Sequence, residues 1–503
     1  MHVLHRGIKQ LNNFLPHTNH WLILVASVPV SLSTGTLFVY SVYGTQLAER
    51  CQLDASQTAN LNISATIGTA FGSVLGGLVT DIYGTQIPML ISCFSISLGY
   101  AWVYAQYLKG PDSSVLQLLS AMFLVGIGSV AGYFSSIKAV TINFPNFKGT
   151  AQSITIASFA ISSLLFSYIA THTFHGDVGQ FLHFLSIACG LSIFIGFIFI
   201  RVDGHIDAIH HQHEIEESRS TPLETDALLS ETPSVGDETE VEDETKFQPS
   251  DLKHLGLKES FLHPTFWYHY LIFAIVQGLG QMYIYSVGFV LKAVHYYYTN
   301  VLVETTGPIP SLNSLQALHV SIIAIASFIG RLSSGPQSDY LVHKLHSQRH
   351  WVLILGLGLM LTGHLLNSVK IDSISTDLNT VNIYLSVVSA LIGYAYGFSF
   401  TSYPAIISDL FDMRNYSFIW GAMYTATTFG LTVMTKIFGF IYDTNSDHWD
   451  DAAHDYVCAK GSGCYNTTFE ITSGLSVFAI ILILGYIYER NSRPKRVETA
   501  QIA

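Results

Sequence analysis

Charge is what this chain has least of. The 503 residues include 23 Lys and Arg and 35 Asp and Glu, 12% in all, against about 25% in soluble globular proteins. The apolar share is near the soluble norm, so the anomaly is missing charge more than added grease. That argues against a soluble multidomain enzyme, which the length alone would allow. Five cysteines are too few for a disulfide framework, and no Cys/His spacing fits a zinc site. The net charge of −12 excludes a nucleic-acid binder on electrostatic grounds. Nucleotide loops, paired catalytic carboxylates and His-Glu-x-x-His are all missing, so no enzyme, metal or cofactor is expected.

Long apolar runs are what the chain does have. A membrane-spanning helix needs about 20 mostly apolar residues. Six such runs lie in the first half: Trp21–Tyr43, Ala59–Thr80, Gln86–Gln106, Leu116–Val140, Ala151–Thr171 and Phe181–Arg201. Six more follow: Phe266–Lys292, Leu315–Gly335, Trp351–Val369, Val381–Ile407, Ser417–Tyr442 and Phe469–Glu489. Between the halves, Glu214–Glu244 carries twelve acids against Arg219 alone, with Ser, Thr and Pro and no aromatic residue. That is the composition of a disordered linker. The expected plan is all-α and integral to the membrane, with twelve transmembrane helices in two six-helix bundles. Its parts are an N-terminus (1–20), a first bundle (21–201), an acidic linker (202–262), a second bundle (263–489) and a tail (490–503). Seventeen of the 23 Lys and Arg fall on the side of the termini and linker, which makes that side cytoplasmic.

The halves echo each other, as in transporters built from two parallel repeats. Gly77-x-x-x-Asp81 ends the second span, with Gly84 beyond it, and Gly335-x-x-x-Asp339 ends the eighth. Glycine lets backbones approach closely, and the aspartate suits a facing helix N-terminus, where the dipole favours an anion. Lys138 or Lys148 is the expected base for Asp81, and Arg331 or Arg414 for Asp339. These pairs are read as gates that hold the cytoplasmic face shut.

At this point the sequence resembles the major facilitator superfamily. Its loop signature, Gly-x-Leu-x-Asp-x-x-Gly followed by bases, is matched at Gly77, Asp81 and Gly84, with Val79 in the Leu position and Ile82, Thr85 and Gln86 where bases stand. Gly35 through Tyr43, Gly99-Tyr100, Gly330-Arg331 and Tyr442-Asp443 are similar to the nodulin-like proteins and the fungal monocarboxylate-transporter homologues. The resemblance implies a monomeric secondary transporter of a small solute, with a monocarboxylate or another small organic anion as the expected cargo, working by alternating access. A non-transporting sensor with the same fold is the competing reading. The short tail favours transport.

Polar residues inside spans are costly and functional. Tyr40, Gln277, Gln281, Tyr283, Tyr403 and Tyr424 are the expected lining of the pathway, and Lys436 the expected cation for an anionic solute. Glu224-x-x-x-Leu228-Leu229 fits an acidic dileucine signal for a sorting adaptor. It implies a vacuolar, lysosome-like membrane, with the plasma membrane as the alternative. Cys458 and Cys464, in the loop before the last span, are placed to form a disulfide in an oxidising lumen. Asn466-Thr467-Thr468 is a glycosylation pattern set almost at the membrane.

Overall fold

In the computed structural model the described residues are 18–202, 251–301, 310–370, 377–446, 448–450 and 455–492. The acidic stretch, with Glu224, Leu228 and Leu229, lies outside them. Helix starts follow from caps. Asp54 and Gln57 form a reciprocal capping box before the second span, Ala55–Tyr83. Asp177, Ser311 and Asp377 each accept a backbone N–H at the start of the sixth span, Val178–Phe199, the eighth, Leu312–His343, and the tenth, Leu378–Leu410. A short polar side chain thus satisfies an amide that the helix leaves open. The seventh span, Pro264–Tyr296, opens with proline at its first position behind His263, where a missing N–H costs nothing.

The other spans are His20–Cys51, Gln86–Lys109, Val115–Asn143, Lys148–His172, His350–Ser368, Tyr416–Asn445 and Asn466–Ser492. Among the described residues, eleven helical stretches are long and apolar enough to cross a membrane. Tyr416–Asn445, the eleventh span in order, is long enough but diluted by threonines. Thr425, Thr427, Thr432 and Thr435 return their hydroxyls to carbonyls three or four residues back in the same helix, which keeps them satisfied without water. The first span is broken by a 3-10 segment at Gly35–Val39. Ser129 and Ser162 donate to the nearby carbonyls of Thr34 and Leu32, both at 2.6 Å.

Spans one to six form one bundle and seven to twelve another. Within them, span two packs on four and three on six; in the second bundle span eight packs on ten and nine on twelve. The bundles meet through two matching pairs: span two on eleven, and span eight on five. Each half therefore offers its second helix to the fifth helix of the other. Outward faces stay apolar, as at Ile63, Ile67, Phe71 and Leu75, which recur every fourth residue and are about half exposed. That is the surface expected where the solvent is lipid.

The end of the expected linker is structured. Asp251–His254 is a 3-10 turn and Leu257–Leu262 a short helix. Leu252 is buried, the Leu255 carbonyl accepts from Asn415 Nδ2 at 3.2 Å, and Phe261 lies edge-on to Phe418. This segment belongs with the second bundle, because its apolar side chains have a groove to fill there.

Candidate functional site

On the linker side, the two repeated aspartates each clasp the start of a helix in the opposite bundle. Asp81 accepts from the amides of Ser417 and Phe418 at 3.1 and 2.8 Å. Asp339 accepts from the amides of Gly149 and Thr150 at 3.1 and 2.7 Å, and from the Thr150 hydroxyl at 2.7 Å. Both carboxylates sit on the positive end of a helix dipole, with otherwise unpaired N–H groups pointing at them. The glycines one turn earlier make the approach possible. A Cβ on Gly77 would run into the Ser417 carbonyl, and one on Gly335 into the Gly149 carbonyl and Ser153. Gly84 has a different role: its φ of +79° turns the chain after the second span, and a Cβ there would touch nothing.

The bases are only partly those expected. Lys138, fully buried, donates to Asp81 at 2.6 Å. The base for Asp339 is Arg349, whose Nη1 lies 2.8 Å away, in place of the expected Arg331 or Arg414. Arg414 pairs with Asp412 two residues back, and Arg331 points elsewhere. Lys148 pairs with Asp409 at the end of span ten, and Arg349 Nε also reaches Asp409 at 2.8 Å. Asp409, Arg349 and Lys148 thus join the second clasp into a chain that crosses the seam. Sequence reasoning missed Asp409 and Arg349. The one signal was an acid at the end of span ten and a base just before span nine.

Above the clasps, aromatic rings from both bundles fill the seam. Phe134 of span four touches Tyr424 and Trp420 of span eleven at 5.6 and 6.4 Å between centroids. Phe273 of span seven and Phe400 of span ten close on Trp420 at 5.5 and 6.0 Å. Arg331 lies among them, 7% exposed, with its guanidinium 4.6 Å from the Phe400 ring centre and 5.6 Å from that of Tyr396. Those are cation–π distances. Its Nε and Nη1 have no hydrogen-bond partner among the described residues, and no acid there pairs with it. More unsatisfied groups lie on the helices that meet here: both amide atoms of Gln277, the Gln281 Oε1, the Trp420 Nε1 and the Tyr133 hydroxyl. Gln281 Nε2 donates to the Tyr396 hydroxyl at 3.2 Å. Span seven therefore turns Phe273, Gln277 and Gln281, spaced four apart, toward span ten.

A model of the Major Facilitator Superfamily matches residues 23–339 and 305–501. The chain belongs to that superfamily. This superfamily transporter is 30% identical, over 95% of its length and 97% of theirs, to the uncharacterized membrane protein YMR155W of Saccharomyces cerevisiae. It is 24% identical to the probable transporter MCH1 of Yarrowia lipolytica, over 93% of this chain and 92% of that one. Among solved structures it is similar to the proton:xylose symporter XylE, with a TM-score of 0.59 and 14% identity over 93% and 96% of the two chains. FucP in its outward conformation gives 0.53 and 13%, over 91% and 98%. These likenesses show the fold.

The remaining expected pathway residues scatter over the transporter. Gln281 and Tyr424 come near Arg331, through Tyr396 and Phe400 respectively, and Gln277 is buried one turn before Gln281. Tyr403 is fully buried, its ring tilted against Phe273 at 4.4 Å, and its hydroxyl has no partner among the described residues. Tyr283 faces into the second bundle, where its hydroxyl meets Ser389 Oγ at 2.8 Å, and Ser389 meets His319 Nδ1 at 2.7 Å. Tyr40 donates to the Thr58 carbonyl at 2.8 Å, which ties the outer end of span one to span two. Lys436 is not a buried cation. It shares an exposed face with Phe429, Val433 and Phe440, the pattern of a lipid-facing lysine that snorkels. Arg331, expected to pair with Asp339, is instead buried against the rings of Tyr396 and Phe400. Cys458 and Cys464 are joined by a disulfide. Asn466 is buried at the first residue of the last span, 8% exposed.

Proposed function

We propose that this transporter carries a small organic anion across the membrane by alternating access of one site between the bundles. The observation that carries the reading is Arg331: a buried guanidinium between the bundles, with two nitrogens unbonded. A buried cation without a partner is costly, and an anionic solute is the partner that would offset the cost. The fork of N–H groups matches a carboxylate in two-point geometry. The rings of Tyr396, Phe400 and Trp420 would enclose a compact apolar body. Gln277, Gln281 and Trp420 supply neutral donors and acceptors for its other polar atoms.

In this reading the linker-side face is cytoplasmic and the clasps at Asp81 and Asp339 are its gate. With the gate shut, solute enters Arg331 from the far side. Its charge neutralises the guanidinium, the clasps part, and the site opens to the cytoplasm. The protein works as a monomer, and the dileucine signal directs it to a vacuolar membrane.

The test is uptake by proteoliposomes of a panel of radiolabelled acids, with their amides and neutral sugars alongside, with and without a pH gradient. Acids are expected to be taken up and their amides refused. Arg331→Gln should lower acid uptake by about thirtyfold or more, since truncating one partner of a buried charge pair costs about 2–5 kcal/mol. Arg331→Lys, which keeps the charge and loses the fork, should fall between. Equal uptake of acids and amides, or an Arg331→Gln protein as active as its parent, would refute the reading.

A further inference from the structure

Gln277 on span seven is fully buried, and neither atom of its amide has a hydrogen-bond partner among the described residues. Its place follows from the residues one turn to either side. Phe273 lies 5.5 Å from Trp420 and 6.1 Å from Phe400 between ring centroids. Gln281 Nε2 donates to the Tyr396 hydroxyl at 3.2 Å. Residues four apart share a helix face. Gln277 therefore lies on the face that meets Phe400 and Tyr396, the two rings beside the Arg331 guanidinium. A Cβ on Gly278 would come within 2.7 Å of the Gly430 backbone, and one on Gly280 within 2.7 Å of the Tyr396 ring. That close fit fixes the rotation of span seven and keeps Gln277 turned toward span ten.

A primary amide donates from its nitrogen and accepts at its oxygen. Whichever way the Gln277 amide is turned, an unfilled acceptor stands beside unfilled donors. Burying it so is costly, and leucine would pack the same space without that cost. The amide calls for a partner that the described residues do not supply. A carboxylate cannot be the whole of that partner. It only accepts, so it serves Arg331 and the amide nitrogen and leaves the amide oxygen unfilled. A ketone has the same shortcoming. An ammonium would fill the oxygen but not the nitrogen, and would set a second positive charge beside a guanidinium that has no acid partner among the described residues. A hydroxyl both donates and accepts, and a carboxamide does so across two atoms.

We propose that Gln277 sets the specificity of the Arg331 site, and that the solute is an acid with a second, neutral group that both donates and accepts: a hydroxyl or a carboxamide. The inference rests on the reading of Arg331 as the partner of the carboxylate, and adds what the rest of the solute must carry. The carboxylate settles on Arg331, and the second group pairs with both ends of the Gln277 amide. An acid of the same size without that group leaves the amide unpaired. A site built to pair a hydroxyl rejects the analogue that lacks it far more strongly than a pocket rejects a difference of one methylene.

The experiment gives proteoliposomes of the full-length transporter a set of radiolabelled acids of nearly one size. They are butyrate, its hydroxy, oxo and amino derivatives at carbon two or carbon three, and malonamate. Initial uptake at low concentration reads kcat/KM. A hydroxy derivative or malonamate should exceed butyrate by at least about tenfold, and which of the two does so tells hydroxyl from carboxamide. The oxo and amino derivatives should show no such gain. Gln277→Leu and Gln277→Met both remove the amide at similar volume. They should carry butyrate as the parent does and bring the favoured acid to within about twofold of it. Without solute, the better-fitting of the two should melt no lower than the parent, because an unpaired buried amide has gone. Butyrate carried as fast as its hydroxy derivatives and malonamate overturns this inference and leaves the Arg331 reading standing. So does a preference that survives both substitutions, or a pair of variants that both melt well below the parent. A parent that carries none of these acids, or carries acids no better than their amides, overturns both.

Discussion

Replacing each clasp aspartate by asparagine should give two different failures. Asp339 accepts three bonds from the opposite bundle and Asp81 accepts two. A hydrogen bond to a charged group contributes about 1.5–3 kcal/mol and a neutral one about 0.5–1.5 kcal/mol. Removing the charge therefore costs about 1 kcal/mol per bond, or about 3 kcal/mol at Asp339 and about 2 kcal/mol at Asp81. Bonds to one carboxylate are not independent. A shift of about tenfold toward the open face is then the floor for both, with Asp339→Asn the larger. Stability separates them further. In Asp339→Asn, Arg349 keeps Asp409. In Asp81→Asn, a fully buried Lys138 loses the carboxylate 2.6 Å from it, and breaking such a pair costs about 3–5 kcal/mol. Asp81→Asn should melt well below the parent, and adding Lys138→Met should restore much of the loss. Ser153 is buried where Gly335 presses on it, so maleimide labelling of Ser153→Cys reads the gate, and thermal unfolding in detergent reads the fold. An Asp339→Asn protein that labels like its parent would reduce the clasp to an ordinary helix cap. An Asp81→Asn protein that melts with its parent would refute the cost assigned to Lys138.

Gly335→Val places a branched side chain against the Gly149 carbonyl and Ser153; the linker-side face should stay parted, with Ser153→Cys labelling at near its open-state rate and solute exchange abolished. Leu228→Ala with Leu229→Ala should move a tagged protein from the vacuolar membrane to the cell surface with its melting temperature unchanged, and an unmoved reporter removes the sorting role. Asn466 is buried where its helix begins, so enzymatic deglycosylation should leave the protein's electrophoretic mobility as it was, and a shift that Asn466→Gln abolishes would show that this end of the helix frays open.

The twelve spans were legible because a bilayer imposes a length and an apolarity that sequence displays directly; ten lie wholly within observed helical stretches, while Phe181–Arg201 overruns its helix by two residues and Trp351–Val369 by one. The repeated Gly-x-x-x-Asp was legible because two copies at matching places are improbable by chance. Their partners were harder to read. Asp81 and Asp339 bond to backbone amides more than three hundred and nearly two hundred positions away, and an amide leaves no mark in a sequence. Arg331 was assigned to the gate because it lies two turns from Asp339 on the same helix. Only the rings of Tyr396 and Phe400 show that it turns into the seam. Lys436 failed for the converse reason: helical position gives depth in the membrane, but the side of the helix that faces lipid depends on neighbours.

The threonines of the eleventh span have a consequence for how the protein is made. Eleven of the described helical stretches can leave the insertion machinery for lipid by their own hydropathy, but Tyr416–Asn445 is too dilute to partition well alone. Thr425, Thr427, Thr432, Thr435 and Thr444 bond to its own backbone, so what these side chains need from neighbours is a place more than partners. Span two supplies that place, through Gly77 and the carboxylate of Asp81. The chain must then hold its first bundle ready, across the whole linker, until the eleventh helix emerges to complete it. The contact we propose as the gate of the finished transporter is also one of the last joints to close during its assembly.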